Sequence, residues 1–201
     1  MRRNVDRLRV LIEDLLTLSR IESGAFRSTF EDVDLPPLVR SGVADLRPQA
    51  EHGGVEVRLD LPEGPVVVHG DPGQLARALL NVLGNAVKFT PSGGRVQVTV
   101  REDAENGSVA VEVGDSGMGI PEADLPEVFT RFFRGSNAVS ASVPGTGLGL
   151  VIVRTILDNH GGSLGLSSVQ GEGTTVRITL PYTPPAQSTQ PSGIAAGRRS
   201  L

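Results

Sequence analysis

The chain has 201 residues, which is enough for one compact domain with short additions at its ends. Apolar residues make up 38% of it and aromatic residues only 3%, so a core can form but must consist mainly of Val, Leu, Ile and Ala. The net charge of −4, without a visible basic stripe, argues against nucleic-acid binding, and the lack of Cys excludes disulfides and thiolate metal sites. No apolar run approaches the roughly 20 residues that cross a bilayer, so we expect no membrane segment, no signal peptide and a cytoplasmic location.

The first predicted element is an amphipathic helix over residues 4–23. Leucines recur along it at intervals of three and four, the spacing of the apolar seam of a coiled coil or helical bundle: Leu8, Leu11, Leu15 and Leu18. One isolated helix cannot bury such a seam, so we expect a partner helix. Gly24 follows as a C-terminal stop, and residues 25–34 are predicted to be a connector.

Helices and strands then alternate without a regular βαβ rhythm, which predicts an α+β fold, a two-layer sandwich with helices on one face of a mixed sheet. The best-marked helix has Asp71 as N-cap, Pro72 at its first position and Gln74 three residues after the cap. Residues 182–201, rich in Pro and Ser, are predicted to be a disordered tail. In chain order the expected elements are a helix at 35–51, strands at 55–61 and 66–68, a helix at 71–89, strands at 95–101 and 109–113, a helix at 148–159, and strands at 163–169 and 174–180.

The helix at 71–89 carries a narrow polar stripe. At 100° per residue, Asn85 lies about 40° from Asn81 and Lys88 about 20° from it on the other side, opposite the apolar face. A helix docked by its apolar face therefore presents two carboxamides and an ammonium together. Amide oxygens suit Mg²⁺, and Lys supplies a charge for phosphate. The alternative is that these side chains only solvate an exposed face.

Two glycine-rich segments follow that helix. Asp115–Gly119 comes directly after a strand, where a carboxylate can accept a hydrogen bond from an amino group such as that of adenine, and glycines let the backbone approach a flat ring. Gly145–Leu150 opens a predicted helix, whose N-terminal N–H groups can bind phosphate. Each segment alone could equally be a tight turn. The sequence contains no P-loop, no dinucleotide fingerprint and no eukaryotic-type kinase motif, so a bound phosphate requires a different fold.

Residues 114–149 form a stretch rich in Gly, Pro and Ser that is too long for an ordinary loop and is expected to be functional. Three of the six Phe of the chain fall within residues 129–133. They could form a small piece of core, or they could anchor one end of a mobile lid. In the second case Arg131 or Arg134 would reach the phosphates.

Taken in order, these segments resemble the histidine kinase catalytic domain, within the ATPase/kinase superfamily that also includes gyrase, Hsp90 and MutL. The resemblance covers about residues 35–181 and implies the histidine kinase-like ATPase fold, preceded here by one amphipathic helix. The motifs stand in the family's order: Asn81–Thr90 resembles the N box, Asp115–Gly119 the first glycine box, Phe129–Gly135 the F box, Gly145–Leu150 the second glycine box, and Asn159–Gly162 a common ending of the following helix.

The resemblance implies ATP and Mg²⁺ as cofactors and a role for each motif residue. Asn81, Asn85 and Lys88 would be the catalytic residues: Asn85 would ligate Mg²⁺, with Asn81 beside it and Lys88 on the phosphates. Asp115 would bind the adenine amine, and residues 120–146 would be the ATP lid. The other residues implied in nucleotide binding are Gly117, Gly119, Arg134, Gly145, Thr146, Gly147, Leu148 and Gly149.

Asn81 also distinguishes branches of the superfamily. The ATP-hydrolysing members carry a glutamate there that activates water, and Asn cannot act as a base. Transfer to a protein acceptor fits better, because phosphoryl transfer needs mainly positioning and charge neutralisation. The expected function is therefore that of a protein histidine kinase in a two-component system, working with a response regulator.

The acceptor histidine of the family, inside a motif like H-E-L-R-T-P on the first helix of a dimerising hairpin, is missing. His52, His69 and His160 are each followed by Gly and do not fit. Residues 1–24 resemble part of the second hairpin helix, so the histidine is expected from another chain or a missing upstream segment. The chain could be the cytoplasmic fragment of a longer membrane-bound sensor, a natural split kinase or a degenerate product. Two other functions stay open: an ATP-binding regulatory module without transfer, and an anti-sigma-factor-type serine kinase, which the leucine seam disfavours.

Overall fold

The structure is a computed structural model that describes residues 2–22, 28–141 and 143–182. Within these ranges no helix combines the length and hydropathy needed to cross a bilayer. The elements are α1 (Arg2–Glu22), β1 (Glu31–Asp34), α2 (Leu35–Gly53), β2 (Glu56–Asp60), β3 (Val67–Gly70), α3 (Pro72–Phe89), β4 (Arg95–Asp103), β5 (Ser108–Asp115), a 3₁₀-helix (Glu122–Glu127), α4 (Ser136–Ser140), α5 (Gly149–Asn159), β6 (Ser163–Val169) and β7 (Gly173–Pro181).

The main sheet has five strands in the order β2-β4-β5-β7-β6. Only β2 and β4 run parallel, and the other neighbours are antiparallel, so the sheet is mixed. Alternate residues of β4, Val96, Val98 and Val100, are fully buried against the helices. The predicted α+β sandwich is therefore confirmed: α2, α3 and α5 pack side by side over one face of the sheet.

The helix that bears the polar stripe begins as its sequence predicts. The Asp71 carboxylate accepts a hydrogen bond from the backbone N–H of Gln74 at 2.9 Å, and Pro72 occupies the first turn. Its apolar face is buried in the core, through Leu75, Ala78, Leu79, Val82, Leu83, Ala86 and Val87. This burial fixes the rotation of α3 and turns its polar side away from the core.

The end of the predicted connector is a strand. Glu31–Asp34 pairs antiparallel with β3, with Val33 opposite Val68, and the carboxylate of Asp34 accepts the N–H of Val66 at 2.8 Å. The sequence Glu-Asp-Val-Asp holds one apolar residue and so has no alternation to signal a strand. The strand forms because β3 supplies the backbone partners.

Helix α1 divides its leucines between two surroundings, and the predicted single seam is wrong in this respect. Leu18 is 2% exposed and Leu11 packs against the core, whereas Leu8 and Leu15 are exposed together with Ile12 and Leu16. One face of α1 therefore docks on the α+β domain beside α5, and a second, adjacent apolar face remains at the surface.

Candidate nucleotide-binding site

The predicted polar stripe and the second glycine-rich segment meet in the structure. Lys88 Nζ donates a hydrogen bond to Asn85 Oδ1 at 3.0 Å, and Asn81 Nδ2 donates to a backbone carbonyl one turn earlier in α3. Gly149, the first residue of α5, lies so close that a Cβ there would be 3.1 Å from Asn81 Oδ1 and 3.8 Å from Asn85 Nδ2. The positive end of the α5 dipole thus opens beside two carboxamides and an ammonium.

Lys88, the only lysine of the sequence, is held in an environment that disfavours its charge. Burial and, second, the positive charge of Arg134 lower the pKa of Lys88 from 10.5 to about 8. The ammonium lies 4.3 Å from the ring centroid of Phe89, and a Cβ on Gly145 would be 3.6 Å from it. A partly desolvated ammonium beside an arginine gains most from an anion, which marks this point as a candidate phosphate position.

Asp115 ends β5 at the edge of the same site. Its Oδ1 accepts the N–H of Gly117 at 2.8 Å and the N–H of Thr174 at 3.3 Å, and neither bond uses Oδ2. Burial raises the pKa of the Asp115 carboxyl, while the two backbone hydrogen bonds act in the opposite direction. A fixed carboxylate with one oxygen left over can accept a hydrogen bond from a ligand's amino group.

An open cleft of about 310 Å³ connects the end of α3 with the first glycine-rich segment. Its volume is at the lower end of the range for small-molecule sites. Gly117 must be glycine here, because a Cβ would lie 2.6 Å from both Asp115 Oδ1 and the carbonyl oxygen of Phe89. The lining residues are Lys88, Phe89, Thr90, Pro91, Ser116, Gly117, Met118 and Gly171.

Two other predicted glycines have packing reasons of their own. Gly119 has φ +61°, and a Cβ there would lie 2.0 Å from the carbonyl oxygen of Val169 at the end of β6. Gly147 has φ +73°, and its Cβ would lie 2.6 Å from Phe133 O. Neither residue lines the cleft; both hold the surrounding loops close to it.

The segment predicted as the lid, residues 120–146, contains the 3₁₀-helix and α4; residue 142 lies outside the described part. None of its phenylalanines is fully buried, so they form no plug of the core. Phe132 is 56% exposed with φ +65°, and its N–H donates to Gly147 O at 3.0 Å. Arg134 Nη2 donates to the carbonyl of Val143, which keeps its charge within the lid and near Lys88.

Two residues that sequence reasoning missed join the site to α1. Asp14 Oδ1 accepts from Arg77 Nη2 at 3.1 Å, and Asp14 Oδ2 accepts from the hydroxyl of Thr146 at 2.9 Å. Thr146 in turn accepts the N–H of Leu148 at 3.3 Å, while the Leu148 side chain is fully buried in the core. The available signal was the position of Asp14, which shares the docked face of α1 because it lies between Leu11 and Leu18 at helical spacing.

The residues present fit the Mg²⁺ that the family implies. Within the described ranges no cluster of three acidic, His or Cys side chains could hold a metal by itself. Mg²⁺ in nucleotide sites needs only one or two protein oxygens, because phosphates and waters complete its shell. In the structure Asn85 Oδ1 accepts a hydrogen bond from the Lys88 ammonium at 3.0 Å, so this oxygen faces a position that a cation can occupy.

Comparison with known proteins identifies the family of the chain. Residues 70–184 match the family model of the histidine kinase-, DNA gyrase B- and HSP90-like ATPase. The sensor-like histidine kinase SenX3 of Mycolicibacterium smegmatis is 35% identical over 90% of this chain and 47% of its own length. The chain therefore spans less than half of that curated relative.

Two solved structures are similar in sequence and in fold. The mycobacterial sensor histidine kinase MprB is 36% identical, with a TM-score of 0.66 over 77% of this chain and 98% of that one. Full-length ShkA in complex with AMPPNP is 29% identical, with a TM-score of 0.77 over 90% of this chain and 37% of that one. The chain thus belongs to the histidine kinase-, DNA gyrase B- and HSP90-like ATPase family, and it carries the catalytic domain of a sensor histidine kinase.

Proposed function

We propose that this chain binds Mg-ATP in the cleft beside α3 and transfers the γ-phosphoryl group to a histidine carried by another polypeptide segment. One observation supports this most directly: a partly desolvated Lys88 bonded to Asn85, with the N-terminus of α5 facing them. Positive charge converges there from the Lys88 ammonium, the Arg134 guanidinium and the N-terminus of α5. A triphosphate with its metal would satisfy that arrangement.

In this proposal the chain's residues mainly bind and orient. Asp115 accepts the amino group of adenine through its unused oxygen, while Lys88 and Arg134 neutralise the phosphates. Asn85 would hold Mg²⁺, which would supply charge neutralisation on the phosphates. The ammonium of Lys88, which donates to Asn85 Oδ1 in the structure, would then be available to the phosphates.

Asn81 favours transfer over hydrolysis. Its carboxamide is held by a bond from Nδ2 to Arg77 O at 2.9 Å, with Oδ1 near Gly149. An amide cannot take a proton from water, so the site has no general base at this position. A positioned acceptor nucleophile then competes better than solvent.

The acceptor in this proposal lies outside the described residues, because His52, His69 and His160 are each followed by Gly and do not fit the acceptor motif. His160 is unsuited, because its Nδ1 lies 2.7 Å from Ile156 O and its Nε2 accepts the N–H of Asp71 at 3.0 Å. The exposed apolar face of α1 offers a packing surface for the helix that carries the acceptor, as in a helical hairpin. A response regulator as the next recipient and a cytoplasmic location, which the Cys-free sequence suits, complete the proposal.

The test is a transfer assay with γ-labelled ATP, Mg²⁺ and a separately produced helical hairpin containing a phosphorylatable histidine. We expect acid-labile label on the hairpin and none on this chain. Asn85→Ala should abolish the label, and Asn106→Ala, the same change in the exposed β4–β5 turn, should retain it.

Other outcomes identify the alternatives. Nucleotide binding without transfer to any acceptor would make the chain an ATP-binding regulatory module. Acid-stable label on a protein substrate would indicate the serine kinase type, which the similarity to histidine kinases disfavours.

A further inference from the structure

The two ends of the lid, residues 120–146, are fastened to different parts of the molecule. At its start, the N–H of Ile120 donates to Ser168 Oγ in β6 at 2.9 Å, within the catalytic domain. At its end, the hydroxyl of Thr146 donates to Asp14 Oδ2 at 2.9 Å, and Asp14 belongs to α1. The end of the lid that leads into α5 is therefore held by a helix that precedes the domain in the chain.

The contact at Asp14 is a strong one. A hydroxyl that donates to a carboxylate makes a charge-assisted hydrogen bond, and Asp14 is only 9% exposed, so water competes little for it. Arg77 pairs with the other carboxylate oxygen at 3.1 Å, which balances the charge. The balanced pair can therefore lie near a phosphate site without repelling it.

The same pair connects to both sides of the candidate site. Thr146 accepts the N–H of Leu148 at the start of α5, and the carbonyl of Arg77 accepts Asn81 Nδ2 at 2.9 Å in α3. Asp14 thus contacts α3 directly through Arg77 and reaches the start of α5 through Thr146, and the phosphates would lie between these two elements. A movement of α1 changes the support of both.

We propose that Asp14 is a positioning residue that couples the docking of α1 to nucleotide binding by anchoring the end of the lid through Thr146. With α1 docked, Asp14 holds Thr146 and the first turn of α5 in place, and nucleotide binds tightly and leaves slowly. With α1 withdrawn, the lid end is released and nucleotide escapes. This proposal rests on the function proposed above and adds a residue and a direction of coupling to it.

Linkage makes the coupling reciprocal: if docked α1 favours nucleotide, nucleotide must favour docked α1 by the same factor. Among the α1 side chains that the structure describes, Leu18 is buried and Leu11 packs against the core, while the neighbouring apolar face, which includes Leu15 and Leu16, is exposed and can take a partner. A partner helix that draws α1 away would therefore lower nucleotide affinity.

The first test compares nucleotide binding of the full chain and its variants, using AMPPNP as competitor of a fluorescent ATP analogue. We expect Asp14→Ala and Thr146→Val to weaken AMPPNP binding about fivefold or more and to speed its dissociation. Glu13→Ala, the neighbouring exposed carboxylate, should have no effect, and Thr146→Ser, which keeps the hydroxyl, should restore binding. The double variant of Asp14 and Thr146 should bind AMPPNP no more weakly than the single variant with the lower affinity, because both substitutions remove the same contact.

The second test measures hydrogen exchange, which a role limited to stability would not link to nucleotide. AMPPNP should slow exchange in α1 of the wild-type chain and leave it unchanged in Asp14→Ala. Leu18→Ala, which weakens docking but keeps the carboxylate, should shift affinity in the same direction as Asp14→Ala. The coupling is overturned if Asp14→Ala binds AMPPNP as tightly as the wild type or more tightly. It is also overturned if AMPPNP does not change hydrogen exchange in α1 of the wild-type chain.

Failure of the proposed function is distinguishable from failure of this inference. If the wild-type chain does not bind AMPPNP at all, the nucleotide site itself is refuted. The anchor is then judged without nucleotide, from exchange in residues 143–150. Faster exchange in these residues of Asp14→Ala than of the wild type supports the anchoring role of Asp14. Equal exchange in the variant and the wild type refutes that role.

Discussion

Replacing Lys88 by Met should stabilise the nucleotide-free domain while weakening nucleotide binding. The pKa of Lys88 falls from 10.5 to about 8, chiefly because the ammonium is buried. Each unit of pKa is worth ~1.4 kcal/mol, so keeping this lysine charged at pH 7 costs the folded state about 3 kcal/mol at most. Met fills a similar volume without a charge, and we expect a net gain of ~1–3 kcal/mol in the free energy of unfolding.

The lowered pKa of Lys88 also predicts how the stability difference between Lys88→Met and the wild type changes with pH. Below pH 8 Lys88 is charged in both the folded and the unfolded chain, so the folded state bears the full cost. Between pH 8 and 10.5 the folded chain binds fewer protons than the unfolded one, so wild-type stability rises with pH relative to the variant. The advantage of Lys88→Met should therefore shrink by ~2 kcal/mol between pH 7 and 9.5.

Urea denaturation of both proteins without nucleotide, at several pH values, measures the difference in their free energies of unfolding. The contributions of the other titrating groups are common to both proteins and cancel in this difference. Because Lys88 is the only lysine, NMR of a chain labelled at lysine Cε follows its titration directly. AMPPNP binding should be at least tenfold weaker in the variant, since a charge-assisted contact to phosphate is lost. A lysine pKa near 10.5, or a variant less stable than wild type at pH 7, would refute the reasoning.

Three further predictions concern single positions. Gly119→Ala should lower the free energy of unfolding by ~2–4 kcal/mol in urea titration, because it adds a backbone clash to a positive φ; Gly171→Ala, with positive φ but open space, should cost only ~1 kcal/mol. Asp115→Asn should weaken binding of ATP by roughly tenfold or more and of GTP less, by calorimetry, because the amide cannot accept as a carboxylate does; equal losses would contradict adenine recognition. Leu18→Ala should accelerate hydrogen exchange throughout α1, whereas Leu16→Ala, at 50% exposure, should not.

The sequence predicts those parts of the site that depend on residues close together in the chain, such as helix caps and apolar periodicity. The N-cap at Asp71 and the apolar periodicity of α3 fix the rotation of that helix, and so place Asn81, Asn85 and Lys88 on one face. Likewise, an acidic residue after a strand predicted Asp115 at the end of β5. The structure retains these features because each one depends on residues that are close to each other in the sequence.

The missed features are those in which distant segments supply the reason. β1 has no strand pattern and exists through its pairing with β3. Leucines of α1 that share one spacing separate into docked and exposed because the catalytic domain covers only part of the helix. The need for glycine at positions 119 and 147 comes from carbonyls that approach from other loops.

By itself, the sequence determined that the chain is an α+β domain with a stripe of two asparagines and a lysine on one helix and two glycine-rich segments after it. Only the tertiary structure decided that Lys88 is desolvated, that Gly149 faces Asn81, and that Asp14 holds the end of the lid. The physical reason is that helical phase and capping depend on neighbours along the chain, whereas burial, charge balance and close contact depend on which segments meet in space.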